Sequence, residues 1–170
     1  ALMDGGELTR RRTAAASALA ADYLARKDAS VLTLFGAGAL APHFAQAHAA
    51  VRPIKTVRIV NRNVEKAEAV AAELRVLGFD AAPAPAEDAV RGADIVTCIT
   101  NATAPLFKGD WLKPGAHVDL VGAYKPTMRE ADADTVRRAR VYVDTCEGAR
   151  AEAGDLIQAE AEGAFSFSDI

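Results

Sequence analysis

Apolar residues recur along this chain at two spacings, one helical and one of short continuous runs. From Thr9 onward Ala15, Ala16, Leu19, Ala20, Tyr23 and Leu24 return at helical intervals. This predicts an amphipathic helix over about residues 7–27, with Thr9 as its N-cap and Arg26 and Lys27 in its last turn. Val31-Leu32-Thr33-Leu34-Phe35 is a β-prone run that stops at Gly36-Ala37-Gly38, and an alanine-rich helical stretch follows to about Val51. Val57 to Val60 reads as a second strand and Glu65 to Leu77 as a second helix with Ala67, Val70, Ala71 and Leu74 on one face. A short strand over Phe79 to Ala82 and a brief helix from Glu87 to Arg91 lead to Asp94-Ile95-Val96-Thr97-Cys98-Ile99-Thr100. That run is nearly all apolar, as a strand buried on both faces of a parallel sheet requires. His117 to Val121 predicts a fifth strand, Asp132 to Arg138 a polar helix, and Val141-Tyr142-Val143-Asp144 a sixth strand.

Strands alternating with helices argue an α/β fold, a Rossmann-type doubly wound parallel sheet spanning residues 1–170 as a single domain. The tail after Glu147 carries a helical pattern whose packing the sequence leaves open. At 170 residues, with 51% hydrophobic and 25% charged residues, the chain has ordinary globular usage. A net charge of -3 lacks the basic field of nucleic-acid binders, so no nucleic-acid partner is expected. No uninterrupted apolar run approaches the ~20 residues of a membrane span, and the long uncharged stretch 29–51 is broken by Thr33, His43, Gln46 and His48, so no membrane partner is expected either. Cys98 and Cys146 are too few for a disulfide framework and lack zinc spacing, which suits a cytoplasmic location and no metal. The opening Ala1-Leu2-Met3-Asp4-Gly5-Gly6 and the closing Phe165-Ser166-Phe167-Ser168-Asp169-Ile170 read as cut edges, so an excised segment is expected.

Gly36, Gly38 and Ala41 form G-x-G-x-x-A between a predicted strand and a predicted helix, the context in which this pattern binds a dinucleotide. Gly36 permits the tight turn, Gly38 lets backbone approach a pyrophosphate, and Ala41 is small enough for close helix-strand packing. The N-H groups and dipole at the helix start would hold the anion. An acid that accepts from a ribose 2′-OH is expected about 20 residues further on if the cofactor is NAD. Here the second strand ends in Asn61-Arg62-Asn63. Asn61 removes the carboxylate that would repel a 2′-phosphate, and Arg62 can pair with that phosphate, so NADP is favoured while NAD stays possible. Arg58 and Lys66 are expected to face solvent.

The carboxyl ends of the parallel strands should line the cofactor crevice. Thr100 closes the fourth strand, where it can touch the nicotinamide ribose, and Val121 and Gly122 close the fifth, with Gly122 letting the ring approach backbone. Cys98 reads better as a small buried thiol. His43 and His48 sit in the alanine-rich helix away from any matching acid or serine, and His117 begins a strand, so none of the three is assigned catalysis.

Leu8-Thr9-x-x-Arg12-Thr13-Ala14-Ala15, then Gly36-Ala37-Gly38, then Gly122-Ala123-Tyr124-Lys125-Pro126-x-Met128-Arg129-Glu130, then Gly154-Asp155-Leu156 make a pattern in order and spacing. It resembles the ornithine cyclodeaminase and mu-crystallin family over essentially all 170 residues. The resemblance implies a second domain, largely missing from this chain, that completes the substrate site and forms a homodimer. It implies that Arg12 binds the substrate carboxylate beside the nicotinamide and that Thr13 stands near the cofactor phosphates. Ala39 and Leu40 would touch the pyrophosphate, Asn61 and Arg62 the adenosine ribose, and Thr100 the nicotinamide side. In the cyclodeaminases an aspartate following the fifth strand donates and accepts the proton, and Tyr124 stands at that position here. A phenol, which keeps its proton at neutral pH, does not replace a carboxylate base.

The resemblance therefore favours the branch of imino-acid reductases, with hydride delivered to the C=N bond of a small cyclic or linear 2-imino acid such as a ketimine. Arg12 would anchor the carboxylate, and Tyr124 or Lys125 would donate a proton or shape the loop. Ornithine cyclodeamination with bound NAD, and non-catalytic NADPH-dependent ligand binding of mu-crystallin type, are the alternatives. A shikimate-dehydrogenase-like reading of the Asn61-Arg62-Asn63 turn leaves Arg12-Thr13 and the segment from Gly122 to Glu130 unexplained.

Overall fold

The computed structural model describes residue 2 and residues 4–170. Ala1 and Met3, part of the opening read as a cut edge, lie outside the described residues. The described chain forms two compact units, one running up to Ile99 and including Lys113–Asp119, the other comprising Thr100–Leu112 and Leu120–Ile170.

The first unit begins with α1 (Gly5–Leu24). It starts before the predicted position because Asp4, rather than Thr9, is the N-cap. The Asp4 carboxylate accepts from the N-H of Gly6 at 2.8 Å and of Glu7 at 3.1 Å. Thr9 lies one turn into the helix, where its hydroxyl donates to the carbonyl of Gly5. The helix also stops short of Arg26 and Lys27. The buried Arg52 satisfies its terminal carbonyls instead, donating to Ala21, Asp22, Ala25 and Arg26 at 2.6–3.0 Å. The buried stripe of α1 is Ala14, Ser17, Ala18 and Ala21, small side chains that let it lie close to α2 (Ala41–Val51).

Strands β1 (Val31–Phe35), β2 (Thr56–Val60), β3 (Asp80–Pro83) and β4 (Ile95–Cys98) appear within one or two residues of the predicted bounds. So do helices α3 (Val64–Val76) and α4 (Ala86–Gly92). With β5 at Thr103–Phe107 and β6 at His117–Leu120, the main sheet has the order β3-β2-β1-β4-β6. β1 pairs in parallel with β2 and β4, and β2 with β3. The strand order reverses between β1 and β4, the position at which open α/β sheets form a crevice beyond their carboxyl ends. Asp94, just ahead of β4, fastens this unit. Its carboxylate accepts from the N-H of Ser30 and Val31 and pairs with Arg26 and Lys113. Burial works to raise its pKa, but the Lys113 ammonium and the two backbone donors outweigh that and hold it at about 2.

In the second unit β5 pairs in parallel with β7 (Arg129–Ala131) as a separate two-stranded sheet that the hydrophobic pattern does not announce. α5 (Ala133–Arg138) follows, capped by Asp132, and α6 (Cys146–Glu152) and α7 (Gly154–Ala161) form the tail. The sixth strand expected over Val141 to Asp144 does not form, and the main sheet has five strands. Val141 and Val143 instead pack on a cluster of Val136, Ala149, Leu156, Ala159 and Phe167, while Tyr142 between them is exposed. The alternation in the sequence thus records one buried face of an extended segment, with no ladder partner beside it.

Candidate functional site

In the first unit β1 runs into Gly36, whose φ of +111° favours glycine, and a Cβ there would lie 2.9 Å from the Ile99 carbonyl oxygen. Two residues on, Gly38 is exposed and a Cβ there would meet nothing within 4 Å, so open space lies over this backbone. Ala41 is fully buried at the start of α2, as close helix-strand packing requires. The residue ahead of it, Leu40, offers no side-chain cap to the helix N-terminus. Ala37, Gly38, Ala39, Pro42, His43 and Lys66 line a shallow cleft of about 500 Å³. An uncapped helix start beside a bare glycine turn and a cleft fits a phosphate group.

At the end of β2 Asn61 is half-buried and donates from Nδ2 to the Asn63 carbonyl at 2.9 Å, while the Asn63 side chain caps α3 through the N-H of Lys66. Arg62 is exposed, and no ion pair or hydrogen bond among the described residues engages it. Lys66 is exposed as expected, but Arg58 is only half-exposed and pairs with Asp80 at 3.0 Å. On α1 Glu7 takes both Arg10 and Arg11, and Arg12 stands exposed without an ion pair among the described residues. Thr13 beside it is half-buried.

The expectation that His48 lies away from any acid or serine is overturned. The fold brings α1 and β6 to it, so its Nε2 lies 3.1 Å from Ser17 Oγ, 3.2 Å from Thr97 Oγ1 and 4.0 Å from Asp119 Oδ2. Sequence distance concealed this cluster, because Ser17 and Asp119 are far from His48 along the chain. Burial, with the neighbouring His117, lowers the His48 pKa to about 4, and burial raises that of Asp119 to about 6 against the hydrogen bond from Ser17. With this lowered pKa the buried ring is neutral near pH 7, and its Nδ1 has no hydrogen-bond partner among the described residues.

In the second unit Thr100, Val121, Gly122, Tyr124 and Lys125 occupy loops. Thr100 and Gly122 meet at a side chain that sequence reasoning did not single out. Glu130, fully buried, accepts from the Thr100 N-H and hydroxyl and from the Gly122 N-H, each at 2.7 Å. Burial raises its pKa to about 6 although these three donors favour the ionised form. The reason for glycine at 122 also changes. A Cβ there would sit 2.0 Å from the Thr100 carbonyl oxygen and 2.5 Å from Glu130 Oε1, so it is protein, not open space, that leaves no room. The Thr100 hydroxyl also accepts from the Ala102 N-H, so its one proton and one of its two lone pairs are taken. Tyr124 is exposed, with the Lys125 ammonium 5.5 Å from its ring centroid.

Asp155, a second buried acid, accepts from the N-H of Glu130 and Ala131 at 2.8 Å each, and burial raises its pKa. In the sequence Glu130 and Asp155 stand inside two of the motifs that carry the family resemblance, Gly122 to Glu130 and Gly154-Asp155-Leu156, but nothing there attaches a role to either carboxylate. Among the described residues no group of three His, Cys, Asp or Glu side chains could hold a metal ion. No described helix is long and apolar enough to cross a membrane.

The model of the ornithine cyclodeaminase/mu-crystallin family matches residues 1–168. The Delta(1)-pyrroline-2-carboxylate reductase of Colwellia psychrerythraea is 40% identical over 173 residues, covering 100% of this chain and 55% of that protein. The ketimine reductase mu-crystallin of Rattus norvegicus is 38% identical over 162 residues, covering 95% of this chain and 51% of that protein. Among solved structures, Thermococcus litoralis Delta(1)-pyrroline-2-carboxylate reductase in complex with NADH and L-proline has a TM-score of 0.95 at 35% identity, covering 99% of this chain and 53% of that one. The chain thus spans about half the length of the curated relatives it matches.

Proposed function

The chain belongs to the ornithine cyclodeaminase/mu-crystallin family, and from that premise we propose that the protein reduces the C=N bond of a small cyclic or linear 2-imino acid with a reduced nicotinamide cofactor. The phosphate turn carries the dinucleotide part of this reading: Gly38 is open to approach and α2 begins without a side-chain cap. Imine reduction is favoured over other dinucleotide chemistry by similarity along the whole chain to proteins named for it, and by Tyr124 standing where a lyase needs a carboxylate.

When bound, the cofactor supplies the hydride. Gly36, Gly38, Ala39 and Leu40 hold its pyrophosphate with backbone, and Thr13 stands near the phosphates. Arg62 pairs with a 2′-phosphate while Asn61 leaves that charge unopposed, so NADP is preferred, although the Thermococcus relative was crystallised with NADH. Thr100, Val121 and Gly122 form the nicotinamide-side wall. Arg12 anchors the substrate carboxylate through its fork of donors, with no competing acid engaging it among the described residues. Tyr124 or Lys125 supplies the proton to the reduced nitrogen. The remaining half of the full-length protein completes the substrate site and the homodimer.

The test is loss of reduced-nicotinamide absorbance with the full-length protein, NADPH or NADH, and a cyclic ketimine carboxylate. Rapid oxidation with NADPH is expected. Tight NADPH binding without turnover by any imine would move the assignment to a ligand-binding role, and release of ammonia from ornithine would move it to the lyases.

A further inference from the structure

Glu130 has no part in the function proposed above, yet its surroundings are built for one ionic form. All three of its partners are donors: the Thr100 N-H and hydroxyl on Oε1 and the Gly122 N-H on Oε2. An amide has one oxygen and one NH₂ group, so a glutamine would set N-H against N-H whichever way it lay. Only a carboxylate satisfies both ends. A buried carboxylate without a cation at its oxygens is costly, and a fold that needed only packing here would be better served by an apolar side chain.

The surrounding structure leaves Glu130 no freedom to shift. Asp155 holds its backbone N-H, and the preceding Arg129 forms a two-pronged pair with Glu162 and donates to the Ala131 carbonyl. On the far side, Gly122 lies so near Thr100 that a single added carbon would collide with both the Thr100 backbone and the carboxylate. One side chain therefore fixes the peptide planes at Thr100 and Gly122, each two residues past the end of its strand, β4 and β6.

We propose that Glu130 is a positioning residue for the hydride-transfer step, setting the spacing and tilt of the Thr100 and Gly122 backbones and through them the plane in which the nicotinamide is held. This rests on the reading that these two segments form the nicotinamide-side wall. A displacement of about 1 Å in a reacting group costs up to ~100-fold in rate. Loss of the clamp should accordingly act on the chemical step, while anchorage of the cofactor through its phosphates is retained.

The experiment compares full-length wild-type protein with Glu130→Gln and Thr100→Val, the second removing one donor and leaving the carboxylate. Four quantities are read: melting temperature, NADPH affinity, the emission spectrum of bound NADPH, and kcat with a cyclic ketimine carboxylate. For Glu130→Gln the expected result is a fall in kcat of about 10- to 100-fold, a shifted emission spectrum, and an NADPH Kd within about threefold of wild type. Thr100→Val should show a smaller change in the same direction, and it decides the matter if Glu130→Gln does not fold. A folded variant with wild-type emission and kcat, or a loss confined to melting temperature, overturns the proposal. If wild type binds NADPH but reduces no imine, the assigned reaction fails while the emission comparison still supports or overturns the clamp. If wild type binds neither NADPH nor NADH, both fall together.

Discussion

The Nε2 of His48 and the Oδ2 of Asp119 lie 4.0 Å apart, bridged by the hydroxyl of Ser17, which donates to Asp119 and lies 3.1 Å from His48. Among the described residues Ser17 is the hydrogen-bond donor that favours the Asp119 anion, whose pKa burial has raised to about 6. The ionised form therefore weighs against the fold above pH 6, and the penalty is relieved as pH falls through 6 toward the ordinary carboxylate range. Buried neutral His48 works the other way, since its contribution is present above its ordinary value of 6.5 and lost as pH falls toward 4.

Ser17→Ala should accordingly destabilise the protein by about 1–3 kcal/mol at pH 8, where an ionised Asp119 has lost its donor. The deficit should shrink at pH 5, where Asp119 is protonated in both proteins. Urea unfolding of wild type and variant at the two pH values measures this, and a deficit equal or larger at pH 5 would refute it.

Two glycines separate folding from binding. Gly122→Ala forces a Cβ against the Thr100 backbone and should cost more than about 4 kcal/mol, seen as loss of folded protein or a large drop in melting temperature. Gly38→Ala meets no protein atom, so the melting temperature should stay within about 3 °C of wild type while NAD(P)H affinity falls at least about tenfold. Calorimetry with cofactor titration distinguishes the two outcomes.

Arg62→Ala should weaken NADPH by about 10- to 100-fold, the worth of a charge-assisted contact to phosphate, and leave NADH within about threefold. Equal losses for both cofactors would remove Arg62 from the 2′-phosphate and leave it a solvated turn residue.

Arg12 is exposed and unpaired among the described residues, so Arg12→Lys should not change the melting temperature. If Arg12 grips the substrate carboxylate with two parallel hydrogen bonds, the single ammonium should raise KM by about tenfold or more. A steady-state titration with imine at saturating NADPH tests this, and an unchanged KM would assign the carboxylate to another group.

The sheet was legible because each strand from β1 to β4 announces itself by an apolar run bounded by turn residues, and β1 is followed by glycines whose two different jobs the structure separates. Val141 to Val143 misled because one-sided burial and ladder pairing leave the same alternating pattern. The cluster of Ser17, His48 and Asp119, and the reach of Glu130 to Thr100, depend on contacts between residues remote in sequence, which periodicity does not encode. Gly122 was noticed for its residue type, but its reason, the crowding of Thr100 and Glu130, belongs to three-dimensional packing.

Arg52 carries a consequence for the way the first unit comes apart. Helix α1 has no basic residue in its last turn, and its terminal carbonyls are served by a guanidinium that lies just beyond the end of α2. A peptide holding α1 alone would fray from that end. In the intact protein, the amides of α1 and α2 should become exchangeable with solvent deuterium in a single concerted opening, so that any lesion loosening α2 also unwinds the helix that carries Arg12.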